Sequence, residues 1–247
     1  MVIALMQDRK LVELHREKSN AAYAVGDIYL GKVKRVVPGL NAAFVNVGYE
    51  KDAFLHYLDL GAQFSSLSKF TKKTLTKKQP NSSLDTFETE ADIKKEGKIN
   101  QVISANQNIL VQIAKEPISA KGPRLSSEIT LPGRYLVLVP FSRKISISQK
   151  IADENERSRL KKLMEDIRPK NFGVIIRTVA ENKKVAELEQ DLKDLVKKWD
   201  QCYRVLRDSD PPKRILGELD RTAVLLRDLL NEKFNSIHVN DPVLFEE

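Results

Sequence analysis

The sequence has 247 residues, with 42 Lys and Arg against 34 Asp and Glu, which gives a formal net charge of +8. A chain of this length can bury a substantial core and form more than one domain, and its basic excess favours a polyanionic partner. Its single cysteine, Cys202, excludes an internal disulfide and a multi-cysteine zinc site within this chain. The absence of a membrane-spanning apolar run and of a signal-peptide pattern fits a cytoplasmic protein.

Residues 1–25 predict a β-hairpin ahead of the rest of the fold. An apolar run from Val2 to Met6 is followed by a polar turn and by a second run from Leu11 to His15. A two-stranded hairpin is too small to be stable by itself, so we expect it to pair with a later segment. Because its first strand begins at the second residue, we also expect the chain to belong to a longer natural sequence.

The stretch from Gly26 to Leu60 predicts a small β-barrel. Apolar and polar residues alternate in three runs separated by Gly and Pro turns, which are Ile28–Val33, Ala42–Val47 and Lys51–Leu55. Short strands joined in this way form an antiparallel meander. Closing a meander of five such strands gives the oligonucleotide-binding fold, or OB-fold.

Cationic and aromatic side chains on these strands indicate a candidate RNA-binding face. In chain order they are Lys32, Lys34, Arg35, Phe44, Phe54, His56 and Tyr57. Aromatic rings on a strand face can stack unpaired bases while lysines follow the phosphates. Spacing alone favours the other interpretation of Phe44 and Phe54, in which both rings belong to the barrel core, because strand aromatics are usually buried.

Ser, Thr and Lys dominate residues 64–96, where five lysines lie within ten residues. Such a segment buries too little apolar area to offset the entropy lost on ordering, so it predicts a mobile basic loop between barrel strands. The loop is either solvated and without contacts, or a basic flap that adds non-specific phosphate contacts. We expect the closing barrel strands at Ile99–Ile103 and Ile109–Ile113.

From Ile129 onward the pattern predicts a compact α/β unit. Buried strands are indicated by continuous apolar runs, which are Leu136–Pro140, Ile145–Ser148 and Phe172–Thr178. One amphipathic helix is capped by Asp153 and ends near Ile167, and a second runs from Val185 to Tyr203. We expect Trp199, on the apolar face of the second helix, to pack in the core.

The pair Arg177-Thr178 stands at the carboxyl end of a predicted buried strand, where α/β sheets commonly expose their ligand sites. Arginine offers a planar fork of donors that matches phosphate oxygens, and threonine adds a hydroxyl beside it. Taken without context, such a pair also fits an ordinary structural ion pair at the surface.

Residues 215–247 predict a helix over Leu219–Lys233 and a strand over Ser236–Val239. Neither this segment nor the rest of the sequence has paired carboxylates in a metal-site context, a Cys-x-x-Cys or an H-E-x-x-H motif. The sequence therefore assigns no catalytic and no metal-ligating residue within this chain.

Three motifs in the barrel stretch resemble one known RNA-binding domain. They read G-x-I-Y-x-G-K-V from Gly26, G-L-x-A-A-F-V-x-x-G from Gly39 and K-x-A-F-L-H from Lys51. In this order they resemble the S1 domain of the bacterial ribonuclease E/G family. The resemblance implies that Phe44 and Phe54 lie on the RNA-binding face. A Lys-Gly pair at the barrel exit implies the same for Lys121, with Lys115 as a further candidate.

The later motifs G-x-Y-L-V-L-x-P, I-S-x-K and G-x-I-I-R-T resemble the region of the same family that senses the RNA 5′ end. The resemblance implies that Arg177 and Thr178 hold a 5′ monophosphate and that Gly133 and Val137 complete the pocket. Where the family often has two arginines after I-S, this chain has Gln149 followed by Lys150. Lys150 is therefore the remaining cation there, and monophosphate selectivity is expected to be weaker.

The resemblance also implies an α+β fold class. A five-stranded OB-fold barrel of S1 type, residues 26–125, is inserted in a ribonuclease-H-like domain made of residues 1–25 and 215–247. An α/β 5′-sensor domain, residues 126–214, follows the barrel. The ending N-S-I-H-V-N-D-P resembles the family's return to the ribonuclease-H-like domain.

The function implied is the RNA-recognition half of a magnesium-dependent, single-strand-specific endoribonuclease in rRNA maturation and mRNA turnover. In the family, the Mg²⁺-binding aspartates and a cysteine pair that shares Zn²⁺ between subunits come later than Glu247. The chain alone is thus expected to bind neither metal and to be inactive, and the intact protein to be a homo-oligomer of the bacterial cytoplasm. The alternatives are a stand-alone RNA-binding or adaptor protein, and an S1 protein of translation without end sensing.

Overall fold

A computed structural model describes residues 2–16, 23–119, 121–217, 221–230, 234–242 and 245. The chain divides into two compact units, one formed by Met1–Ser19 with Leu219–Glu247 and the other by Asn20–Glu218.

The amino-terminal part of the first unit is the predicted hairpin. Strand β1 (Val2–Gln7) pairs antiparallel with β2 (Lys10–Arg16). The turn between them places Asp8 and Arg9 at φ of 50° and 63°, in the left-handed region that the turns of tight hairpins use. The prediction of two strands here is confirmed.

The second unit contains a closed β-barrel of five strands. These are β3 (Ile28–Val37), β4 (Ala42–Asn46), β5 (Ala53–His56), β6 (Asn108–Lys115) and β7 (Arg124–Ser126). They are hydrogen-bonded in the order β3-β4-β5-β7-β6, and pairing of β3 with β6 closes the ring. This topology is consistent with the predicted OB-fold.

The alternation of the strands accounts for the barrel interior. On β4 and β5 the buried residues Ala43, Val45, Ala53 and Leu55 alternate with half-buried ones. The inward side chains pack with others from β3, β6 and β7, among them Val33, Val111 and Leu125, into one cluster.

The prediction of a mobile loop over residues 64–96 is wrong. Helix α1 (Phe64–Leu75) occupies the first part, and it buries one face that carries Phe64, Leu67, Phe70, Thr71 and Thr74. These positions recur at helical spacing, whereas the lysines fall on the other face and dominate the composition. Leu84 and Phe87, further along, are also buried. The strand expected at Ile99–Ile103 is a short 3-10 turn, Ile99–Gln101.

A second sheet lies in the same unit and has four strands. They are β8 (Leu131–Pro132), β9 (Leu136–Pro140), β10 (Ile145–Ile147) and β11 (Phe172–Ile176), in the order β10-β11-β9-β8. Only the pair β10 and β11 is parallel among them. Strands β9, β10 and β11 lie within the predicted apolar runs, whereas β8 was not predicted.

Both helices of the predicted α/β unit are present. Helix α2 (Glu154–Ile167) begins after Asp153, whose carboxylate accepts a hydrogen bond from the Asn155 amide at 2.9 Å. Helix α3 (Val185–Arg207) buries Trp199, which is 1% exposed, as predicted. A strand not predicted, β12 (Lys213–Leu216), pairs with β3 and extends the barrel sheet.

The larger core of this unit includes part of the barrel wall. Ile28, Leu30 and Leu110 are barrel-strand residues, yet they pack in the same cluster as Trp199 and Phe172. The predicted boundary between barrel and sensor domains, at residues 125 and 126, therefore lies within one compact unit with a shared core.

The carboxy-terminal part of the first unit contains helix α4 (Arg221–Leu229), inside the predicted helical segment. The strand predicted at Ser236–Val239 is wrong, because those residues are irregular and pair with no strand among the described residues. A ribonuclease-H-like fold for this unit stays a prediction. No helix in the described part of the chain is long and apolar enough to cross a membrane.

Candidate nucleic-acid interface

The aromatic pair Phe44 and Phe54 lies on the outer face of the barrel. The two residues are directly opposite each other on β4 and β5, and their rings meet edge to face with centroids 5.7 Å apart. Both side chains are half-buried, while their strand neighbours point into the core. The structure thus places the two rings outside the barrel core, and His56 follows on the same face, 6.4 Å from the Phe54 ring.

Arg35 joins this aromatic face. The pairing of β3 with β4 shifts register between Val33 and Arg35, so that Lys34 and Arg35 are both exposed although they are consecutive. The bulge brings the Arg35 guanidinium 4.3 Å from the centroid of the Phe44 ring, a cation–π contact. The bulge is visible in the sequence, because two consecutive cations, Lys34 and Arg35, interrupt the alternation of apolar and polar residues along β3.

The predicted lysines lie around the same pair of strands. Lys32 and Lys34 are exposed on β3. Lys115 is paired in register with Arg124, and Arg124 is paired in turn with Phe54. Two hydrogen bonds, at 3.0 and 3.1 Å, fix the Arg124 guanidinium on the Asp59 carboxylate.

Lys121 directly precedes a backbone segment, Gly122 and Pro123, that lies close to the start of β5. Its neighbour Gly122 lies against the carbonyl oxygen of Asp52, where any Cβ would collide. The next residue, Pro123, accepts a hydrogen bond from the Phe54 amide at 2.9 Å. Outward-facing, half-buried rings flanked by cations are an arrangement that can bind single-stranded nucleic acids, through base stacking and phosphate contacts.

The second candidate site centres on Arg177 at the end of β11. Its guanidinium Nη1 donates to the Gly133 carbonyl oxygen at 2.8 Å, and its backbone amide donates to the Tyr135 carbonyl oxygen at 2.8 Å. The Thr178 hydroxyl lies 2.8 Å from the Ser148 hydroxyl. The Arg177 guanidinium therefore contacts Gly133, and Thr178 follows Arg177 directly, while the phosphate-binding role of these residues stays a prediction.

The other two predicted members of this site lie on strand β9 and in the turn that follows β10. Val137 is half-buried on β9 and is paired in register with Ile175, two residues before Arg177. Lys150 is exposed and lies two residues after Ser148, whose hydroxyl accepts from the Lys150 amide at 3.4 Å. The arrangement offers a guanidinium, a hydroxyl and a lysine, which are the groups that bind phosphate oxygens.

Asp191 was not found by sequence reasoning, although it holds the turn that carries Gly133. Its carboxylate accepts hydrogen bonds from the backbone amides of Arg134, Tyr135 and Leu136, at 3.0, 2.8 and 2.9 Å. An acidic residue on the polar side of a helix gives no local signal for such a contact. The Tyr135 hydroxyl is hydrogen-bonded to Glu187 at 3.1 Å, and burial, followed by this bond, raises the pKa of Tyr135.

A clamp between Glu156 and Arg159 holds the segment that follows Thr178. Arg159 donates to both Glu156 oxygens at 2.6 and 2.7 Å and to the Lys183 carbonyl oxygen at 3.2 Å. The Asn182 amide donates to Glu156 at 2.8 Å. The hydrogen bonds from Arg159 lower the pKa of Glu156, burial opposes them, and the Asn182 amide lowers it further.

We expect Glu156→Gln to lower the free energy of unfolding by about 1–2 kcal/mol at pH 7, because one acceptor loses its charge beside a partly exposed arginine. A carboxyl whose pKa is lowered by folding stabilises the protein above its unfolded pKa, and that contribution is lost as the pH falls through the folded value. The difference between variant and wild type should therefore shrink below pH 4.5, the ordinary value.

Urea unfolding at pH 7 and at about pH 3 measures this difference. Glu154→Gln is the matched control, because Glu154 is on the same helix with its side chain 87% exposed, and it should change little at either pH. An equal effect of Glu156→Gln at both pH values would assign the role of Glu156 to packing instead of charge.

Within the described residues, no group of three or more His, Cys, Asp or Glu side chains is placed to hold a metal ion. A closed barrel of five strands in this order is consistent with the class of OB-folds, which includes barrels that bind oligonucleotides.

Comparison of the sequence with known proteins identifies the family to which this chain is similar. A family model described as the ribonuclease E/G family matches residues 130–247. The chain is 34% identical over 245 residues to ribonuclease G of Haemophilus influenzae and 32% identical over 244 residues to ribonuclease G of Escherichia coli K12. Each alignment covers 99% of this chain and 46% of the relative.

Ribonuclease E of Nostoc is 35% identical over 219 residues, which is 88% of this chain and 28% of that relative. The chain belongs to the ribonuclease E/G family, as the sequence motifs predicted. It spans less than half the length of these curated relatives.

Proposed function

We propose that this chain is the RNA-recognition part of an endoribonuclease that acts in RNA processing and decay. In this proposal the outer barrel face binds single-stranded RNA through Phe44, Phe54 and the lysines around them. The Arg177 site binds the 5′ monophosphate of the same RNA. The family membership and the names of the relatives support the enzyme class.

The observation that carries the proposal is the geometry of Arg177. Its side chain and its backbone are both anchored on the Gly133 turn, and the Thr178 hydroxyl follows directly at the end of β11. A 5′ monophosphate is a terminal dianion that a guanidinium and a hydroxyl can bind together, whereas a 5′ hydroxyl offers no charge. The site therefore favours RNA that carries a 5′ monophosphate.

In this proposal, hydrolysis is catalysed by Mg²⁺-binding aspartates, which the family resemblance places later than Glu247. The same holds for the cysteine pair that shares Zn²⁺ between subunits, so homo-oligomerisation and cleavage are functions proposed for the intact protein in a bacterial cytoplasm.

The wild-type chain should bind 5′-monophosphorylated RNA more tightly than the same RNA with a 5′ hydroxyl, by about 1.5–3 kcal/mol. The lower end of this range is expected because Gln149 and Lys150 provide one cation fewer than the two arginines of the family motif. Arg177→Gln should remove most of the preference and leave the affinity for 5′-hydroxyl RNA nearly unchanged. Fluorescence anisotropy with a short labelled RNA at low salt measures both affinities.

Arg204→Gln is the matched control for charge, because Arg204 is 75% exposed on α3 and pairs with Asp200. It should lower both affinities slightly and keep the preference. Equal binding of the two RNAs by the wild-type chain would refute the 5′-end assignment.

A stand-alone RNA-binding or adaptor protein is the second candidate, because the aromatic face and the Arg177 site could bind RNA in such a protein as well. The two candidates differ in whether the reading frame continues past Glu247 into segments with aspartates and a Cys-x-x-Cys motif. Such a continuation supports the endoribonuclease, and a stop codon at that point supports the adaptor.

A further inference from the structure

One carboxylate on α3 organises the turn between β8 and β9. Asp191 accepts three hydrogen bonds from consecutive backbone amides, with Oδ1 accepting from Arg134 and Oδ2 accepting from both Tyr135 and Leu136. All three distances lie between 2.8 and 3.0 Å. A carboxylate that accepts several backbone amides makes charge-assisted bonds that are stronger than neutral ones.

The turn that Asp191 holds is also the anchor of Arg177. The Gly133 carbonyl oxygen accepts from the Arg177 side chain, and the Tyr135 carbonyl oxygen accepts from the Arg177 backbone. Gly133 directly precedes the three residues whose amides donate to Asp191, and Tyr135 is one of those three. A movement of the turn therefore displaces both anchors of Arg177 together.

The close fit of Asp191 explains why position 133 carries glycine. A Cβ at Gly133 would lie 2.6 Å from Oδ1 and 2.7 Å from Oδ2 of Asp191, closer than real Cβ atoms approach. The carboxylate is thus seated directly against the turn. The short distances and the hydrogen bonds arise from the same position of the carboxylate, so a side chain at position 133 would require Asp191 to move away from the turn.

We propose that Asp191 is a positioning residue for the phosphate site. It acts through the turn on Arg177 and not on the ligand, because a carboxylate would repel a phosphate dianion. By fixing the two carbonyl anchors, it holds the guanidinium in the orientation that binds the terminal phosphate. The identity of the ligand rests on the proposed function, whereas the effect on Arg177 does not.

Asp191→Asn tests the proposal in the full 247-residue chain, since asparagine keeps the shape but replaces one acceptor oxygen by an amide donor. We expect the preference for 5′-monophosphorylated over 5′-hydroxyl RNA to fall by roughly tenfold or to the level of no preference. The affinity for 5′-hydroxyl RNA, which the barrel provides, should change less than about twofold, because the barrel face is not touched.

Asp194→Asn is the matched control. Asp194 is exposed on the next turn of α3 and bonds to Gln190 and Lys197, so the same charge is removed without touching the Gly133 turn. This variant should retain the wild-type preference. If both variants lost the preference, its cause would be the loss of one negative charge from α3 and not the contact with the Gly133 turn, and the proposal would be overturned.

A second measurement does not depend on RNA. Hydrogen exchange by NMR follows the backbone amide of Arg177, which is protected by its bond to Tyr135, and Asp191→Asn should accelerate this exchange locally. Acceleration in a chain whose wild type has no 5′ preference would support the positioning role and refute the ligand assignment. Unchanged exchange, or acceleration equal across the whole unit, would overturn the positioning role.

Discussion

Phe70→Ala is expected to lower the free energy of unfolding by about 3–5 kcal/mol, the range for removal of a buried aromatic ring. Phe70 is fully buried, and its ring centroid lies 5.3 Å from Trp199, 5.4 Å from Phe141 and 5.7 Å from Phe87. These partners come from segments far apart in the sequence. Truncating the ring leaves a cavity where α1 meets α3, and the packed partners cannot easily fill it.

Urea unfolding measures this effect, with the fluorescence of Trp199, the only tryptophan in the sequence, as the signal. Lys72→Ala on the exposed face of the same helix is the control, and it should change stability by less than about 0.5 kcal/mol. A loss below about 1 kcal/mol for Phe70→Ala would mean that α1 does not pack on this core and would restore the loop interpretation.

The largest expected effect on binding belongs to the aromatic face of the barrel. Phe44→Ala and Phe54→Ala should each weaken binding of single-stranded RNA by about 1–3 kcal/mol, the range for one base stacked on an aromatic ring. The Kd for a 5′-hydroxyl RNA should therefore rise roughly 5- to 150-fold in each variant. Because both rings lie outside the barrel core, the two variants should remain folded.

Leu40→Ala provides the comparison for these variants, because Leu40 is a 55% exposed apolar residue beside β4 without an aromatic ring. Its Kd should match that of the wild type. The stacking role would be refuted if a Phe44→Ala protein with wild-type stability bound RNA as tightly as the wild type does.

Sequence reasoning succeeded where one face of an element is buried and the other is not. Alternation located β3, β4 and β5, because inward and outward residues differ in polarity along each strand. The Trp199 face of α3 was predicted for the same reason at helical spacing. The motif also pointed to Arg177 and Gly133, and the Arg177 guanidinium donates to the Gly133 carbonyl oxygen, while their role in phosphate binding stays a prediction.

The features that were missed depend on contacts between distant segments or on a misleading composition. In α1 the many lysines hide the apolar residues that recur at helical spacing, so composition predicts a loop where the structure has a packed helix. Strand β12 is only 4 residues long and forms by pairing with β3 nearly two hundred positions earlier, which no local pattern records. Asp191 reaches the Gly133 turn across more than fifty residues, and nothing in α3 distinguishes it from its acidic neighbours.

The barrel and the second sheet share one core through Ile28, Leu30 and Leu110, and close-packed interiors resist relative movement of their parts. On the proposed function, the aromatic face and the Arg177 site are therefore held at a constant separation. When one RNA strand binds at both sites, the increase in affinity depends on the length of RNA between them. This length sets the effective concentration of the strand at the second site once the first is occupied. On the proposed function, the unit therefore selects RNAs in which the stacked bases lie at a fixed number of nucleotides from the 5′ end.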